Sequence, residues 1–158
     1  MRIVLLILLL SSVTCAAQTP ATCPWFSAGS AVSVLGGPVV SNIHVESNSQ
    51  GMCHFSRTSG DEKKFLDILI GRENPNACAQ GGTKRTALGN EAVQCKSTNT
   101  EGQGLDVITG RMRNVYFVVS IGNVPNASAA PPGPNGSPDP YEASMLERVA
   151  EQVVGNLY

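Results

Sequence analysis

The chain has 158 residues with a formal net charge of −1, eleven basic against twelve acidic side chains. That length suits one domain of ordinary size, and so even a charge balance gives no basic excess to attract phosphates, which argues against a nucleic-acid binder. The adjacent basic pairs Lys63-Lys64 and Lys84-Arg85 read as solvated surface.

Residues 1–17 read as an export leader. Met1-Arg2 is a minimal basic start, Ile3 to Leu10 is uninterrupted and apolar, and Cys15-Ala16-Ala17 offers the small residues at which such leaders are cut. Cleavage after Ala17 removes Arg2 and takes the net charge from −1 to −2. An alternative reading makes Cys15 the lipid-modified first residue of the mature chain, although Ser12-Val13-Thr14-Cys15 has Ser and Thr where a lipoprotein signal has Leu and Gly. No other stretch approaches the ~20 apolar residues of a membrane span, so residues 18–158 are expected to form one domain without a transmembrane segment.

Four cysteines remain in that domain: Cys23, Cys53, Cys78 and Cys95. An even number in an exported chain argues for two disulfides. Four cysteines allow three pairings, and sequence does not choose among them. Cys23 with Cys53 and Cys78 with Cys95 is the expected set, because each closes a moderate loop between neighbouring elements.

The first element is a short helix. Ser27 can cap it, Ala31, Val32 and Leu35 share a face, and Gly36-Gly37 stop it. Trp25 and Phe26 at its start are expected to lid the core. Val39 to Glu46 alternates, with Val39, Ile43 and Val45 on one side and Asn42, His44 and Glu46 on a wet side. Ser47 to Gly51 is turn chemistry, and Met52 to Arg57 returns with Cys53 and Phe55 inward. After Ser59-Gly60-Asp61, Lys64 to Gly71 gives a third strand whose Leu66, Ile68 and Ile70 share a face. Together these make a meander.

Arg72 to Asn90 is broken by Asn74-Pro75-Asn76 and again by Gly81-Gly82 and is expected to be irregular. Glu91 to Ser97 reads as a strand. Leu105 to Gly122 carries the strongest strand signal in the chain and reads as a hairpin. Val115, Phe117, Val119 and Ile121 form its apolar face, Tyr116, Val118 and Ser120 point the other way, and Arg113-Asn114 is the turn. Asn tolerates positive φ there, and this turn sets Gly110 across from Phe117. Residues 123–140 hold six of the ten prolines and read as an extended loop. Asp139-Pro140 then caps a last helix running to Leu157, with Met145, Leu146, Val149, Ala150, Val153, Val154 and Leu157 on one stripe. That stripe should cover the hairpin's apolar face.

The predicted fold is therefore α+β: an antiparallel sheet of about five or six strands with the N-terminal and C-terminal helices on one face, stapled by disulfides.

Chemistry-bearing residues are sparse. His44 and His54 are the only histidines and fall on the wet faces of consecutive strands, equidistant from residue 49, so they are expected to face one another. Two imidazoles with Glu46 as third ligand fall short of a metal site with an orienting shell, and no metal or cofactor is expected. A Ser or Cys nucleophile needs a histidine base and an orienting acid, and no Gly-x-Ser-x-Gly elbow occurs; no catalytic residue is assigned. Asp67 and Asp106 read as edge or rim charges. Gln80-Gly81-Gly82-Thr83-Lys84 lacks the spacing of a phosphate loop and reads as a flexible turn. Asn126-Ala127-Ser128 and Asn135-Gly136-Ser137 are formal glycosylation sequons.

The order Cys23, a short helix ending Leu35-Gly36-Gly37, Cys53-His54-Phe55, Leu88-Gly89-Asn90-Glu91-Ala92, a hairpin and a final helix resembles a bacterial family of small secreted proteins and lipoproteins of unknown function. The resemblance implies an envelope or secreted location and supplies no catalytic residue. Residues and resemblance together predict an exported, non-catalytic binding or accessory module. Its partner is expected to be an envelope protein or a small apolar ligand; the rivals are a carrier holding such a ligand between sheet and helices, and an enzyme whose site the sequence does not reveal.

Overall fold

The computed structural model describes residues 21–88, 91–125 and 140–157. The stretch read as a leader with Cys15, both sequons, Asp139, read as a cap, and Gly89-Asn90 lie outside the described residues, as does all but the ends of the Pro-rich stretch.

Helix α1 spans Ala28–Leu35. It starts where the Ser27 hydroxyl accepts the Ser30 N–H at 3.0 Å and stops where Gly36 turns left-handed, φ 76°, its N–H and that of Gly37 both reaching the Val32 carbonyl. Among the described residues seven strands follow: β1 Val40–Ser47, β2 Gln50–Ser59, β3 Glu62–Gly71, β4 Thr83–Lys84, β5 Val93–Thr98, β6 Gly104–Met112 and β7 Val115–Pro125. Helix α2, Pro140–Gly155, completes the set. The strands form one antiparallel sheet in the order β1-β2-β3-β7-β6-β5-β4. β7 thus returns to lie between the meander and the second half of the sheet.

One strand more than expected comes from the stretch read as irregular. Thr83-Lys84 pairs with Val93 and Gln94, so the 80–84 segment is partly a strand rather than a flexible turn. Gly82 permits the approach: a Cβ there would stand 2.2 Å from the Gln94 carbonyl oxygen. A glycine that reads as a break in one dimension is here a point of close backbone contact.

The β6–β7 hairpin has the predicted register. Met112 faces Val115 and Gly110 faces Phe117, with the Phe117 ring lying where a Gly110 side chain would be, 2.8 Å from an ideal Cβ. The positive φ of its turn, however, falls on Arg113, φ 55°, not on Asn114.

Alternation then sorts the sheet into two faces. Phe55, Leu66, Ile68, Ile70, Ile108, Phe117 and Val119, almost wholly buried, join Ala31 and Leu35 of α1 and Leu146, Val149, Ala150 and Val153 of α2 in one core. α1 lies against β2 and β3, and α2 against β6 and β7, the arrangement that the two apolar stripes require. Trp25 and Phe26 are 1% and 2% exposed. The Trp25 indole N–H is satisfied by the Asn48 carbonyl at 2.9 Å, and Phe26 meets Phe55 edge-on at 6.2 Å. Disulfides join Cys23 to Cys53 and Cys78 to Cys95. The first ties the entry segment into the core; the second lies on the opposite face of the sheet. No helix among the described residues is long and apolar enough to cross a membrane.

Candidate functional site on the outer sheet face

The face turned away from the helices mixes buried side chains, Phe65, Val107 and Ser120, with accessible ones such as Met52 and Leu69. Register fixes its layout. Asn42, His54, Asp67 and Ser120 are successive partners across β1, β2, β3 and β7, a polar row crossing a face otherwise rich in Met52, Phe65, Leu69, Val107 and Val118.

Within that row His54 Nδ1 and Asp67 Oδ1 are 2.6 Å apart, both side chains about one-third exposed, and the Phe65 ring stacks on His54 at 6.1 Å. The contact orients the imidazole with Nδ1 toward the carboxylate and Nε2 away from it. Asp67, on a strand with neighbours on both sides, is not an edge charge. Asp106 is only partly exposed and pairs with Lys96 at 3.7 Å.

The row does not assemble a nucleophile. A serine hydrolase needs the histidine between hydroxyl and acid; here Ser120 faces Asp67, and Asp67 stands between it and His54. Nor do the two histidines face one another. The β1–β2 turn is tighter than a turn centred on residue 49, with Ser47 opposite Gln50 and an irregularity between Val45 and Ser47, so His44 faces Met52 and His54 faces Asn42. His44 lies 3.8 Å from Glu46, while the His54 ring is committed to Asp67. Among the described residues no group of three His, Cys, Asp or Glu side chains converges to hold a metal.

Beside the polar row lies a groove of about 680 Å³. Met52 and Leu69, 40% and 41% exposed, and Tyr116 form its floor; residues Arg72 to Pro75 wall it, and His44 and Glu46 stand at its rim. The volume falls within the range of small-molecule sites. The wall belongs to the irregular 72–82 segment, which folds locally by an Asx turn in which Asn74 Oδ1 accepts the Asn76 N–H at 2.9 Å. The Cys78–Cys95 disulfide pins that segment to β5. Tyr116 is held from the other side by the Arg111 guanidinium, 5.6 Å from the ring centre.

No family model, curated protein or solved structure matches the chain.

Arg85, read from sequence as solvated, is half-buried. Its Nε donates to Gln94 Oε1 at 2.8 Å and its guanidinium reaches Glu147 of α2 at 4.0 Å, so it links sheet to helix. Lys64 pairs with Glu62 at 3.4 Å. The Glu62 carboxyl is held below its ordinary range, chiefly by the Asn123 amide donating to it at 2.8 Å, with Lys64 adding attraction. Sequence reading missed the groove. The available signal was Phe65 and Leu69, which make β3 apolar on both faces although only one face meets the helices.

Proposed function

We propose that the chain is an exported, non-catalytic binding module of a bacterial cell envelope, and that the outer-face groove is its binding site. The observation that carries this reading is the groove itself: a large open concavity floored by Met52, Leu69 and Tyr116 and rimmed by charge. It suits a ligand that is apolar in its body and polar at its ends, either a small molecule or an apolar side chain of an envelope protein. The space between sheet and helices is a poorer place for a ligand, because Leu66, Ile68, Ile108 and Leu146 there are all at 0% exposure. Two disulfides suit a non-reducing, exported environment, and residues 1–17 supply a leader for reaching it, with lipidation of Cys15 the alternative to cleavage after Ala17.

Intact mass of the protein purified gently from its native envelope, before and after denaturation, tests both parts. A chain beginning at Gln18 is the expected product, and a diacylated chain beginning at Cys15 would replace release with tethering. Mass lost on denaturation is expected from wild type and not from a Leu69→Glu variant. Retention of the same mass by that variant would move the site away from the groove.

A further inference from the structure

Strand β1 ends the sheet, and two independent features of it are unfinished. The first is its backbone. Among the described residues no strand pairs with its far edge, and of the charges and prolines that ordinarily keep an open edge from pairing Val40–Ser47 has no Lys, Arg or Pro and one carboxylate, Glu46, near the turn end. Its one irregularity, between Val45 and Ser47, is confined to the turn end. The opposite end of the sheet is β4, only two residues long and carrying Lys84. Beyond β4 the remaining stretch of β5, residues 95–98, carries Lys96 and the disulfide to Cys78, so among the described residues β1 is the longest open edge.

The second feature is the helix-side row. On β2, β3 and β7 the middle residues on that side, among them Phe55, Leu66, Ile68, Phe117 and Val119, are closed into the core, but α1 lies over β2 and β3, leaving Val39 and Ile43 of the β1 end half-buried and Val45 36% exposed. On the outer face of the same strand Val40 is 74% exposed. The core stops short at the very strand whose backbone is open.

We infer that β1 pairs antiparallel with β1 of a second copy of this chain about a two-fold axis at Ile43. An open backbone edge calls for an extended polypeptide, and an unfinished apolar row calls for another such row on the same side; β1 itself presents both. In this register Ile43 faces its own copy, Val45 faces Ser41, and Asn42 faces His44, so helix-side rows join each other and no like charges oppose. Centring on His44 would instead set the two imidazoles against one another. Because a two-fold contact uses the same edge of both copies, it closes the association at two.

Sedimentation equilibrium of the disulfide-intact protein tests this, with Ser41→Lys and Val45→Lys as the edge variants and Leu69→Glu as an outer-face control. Wild type and the control are expected to dimerise as concentration rises. Each lysine is expected to weaken the dimer by about tenfold or more while leaving the circular dichroism unchanged, and to speed hydrogen exchange at the β1 amides. Ser41 is exposed, so that variant keeps its fold even if Val45→Lys does not. Wild type that stays monomeric to roughly 100 µM, or a dimer indifferent to both lysines, overturns the inference. So does a β1 edge that becomes protected only when an unrelated extended peptide is added.

Discussion

Arg113 adopts a left-handed conformation, φ 55°, in a two-residue hairpin turn. For a residue with a Cβ this costs about 1 kcal/mol, and glycine avoids that cost while adding some freedom to the unfolded chain. Arg113→Gly is therefore expected to stabilise the protein by roughly 0.5–1 kcal/mol in urea unfolding, provided the Arg113 carbonyl still accepts the Arg111 Nε–H. Glu62 supplies a second test at this scale. Its carboxyl is lowered from 4.5 chiefly by the Asn123 hydrogen bond, so in Asn123→Ala its titration followed by carbonyl NMR should move up toward 4.5. The sign follows from linkage: a depressed carboxyl stabilises the fold above its unfolded pKa, and that stabilisation is lost as pH falls through the folded value. The variant should therefore show a shallower acid-side loss of stability than wild type.

The two disulfides differ as elements. Cys53 is wholly buried in the core with the entry segment tied to it, whereas Cys78 and Cys95 are half-buried and staple an irregular segment to β5. Replacing Cys78 and Cys95 by Ala should cost about 3 kcal/mol on the chain-entropy account. It should also loosen the wall of the groove, seen as faster hydrogen exchange across residues 72–82 with the β2, β3 and β7 amides unchanged. Replacing Cys23 and Cys53 should cost more, because two alanines there also leave a void beside Phe55 and Trp25.

Across the molecule, α1, α2 and the inner face of the sheet share one core, and the single tryptophan, Trp25, sits in it between the two ends of the chain, its carbonyl accepting from Asn156 at 3.0 Å. Unfolding followed by Trp25 fluorescence and by far-ultraviolet circular dichroism is expected to give one coincident transition. Separate midpoints would mean that α2 and the β6–β7 half of the sheet unfold apart from the meander.

Elements whose signals are local were legible in the chain before any fold was known. Alternation at Val115 to Ile121, the Ser27 cap, the Gly36 stop and the stripe from Leu146 to Val154 placed α1, the β6–β7 hairpin and the buried face of α2. It was legible because period and capping are properties of a few consecutive residues. The tertiary structure alone decided what depends on distant residues meeting. It set β7 beside β3 and so put Ser120 next to Asp67; it paired His54 with Asp67 rather than with His44. It also brought Gly82 against Gln94 to make a seventh strand, and raised a wall from residues 72–75 beside Met52 and Leu69. A shift of two residues in the β1–β2 register is invisible to a pattern of period two, since both registers keep the same faces buried. Turn closure and packing choose between them, and with that choice the polar row and the groove come into being.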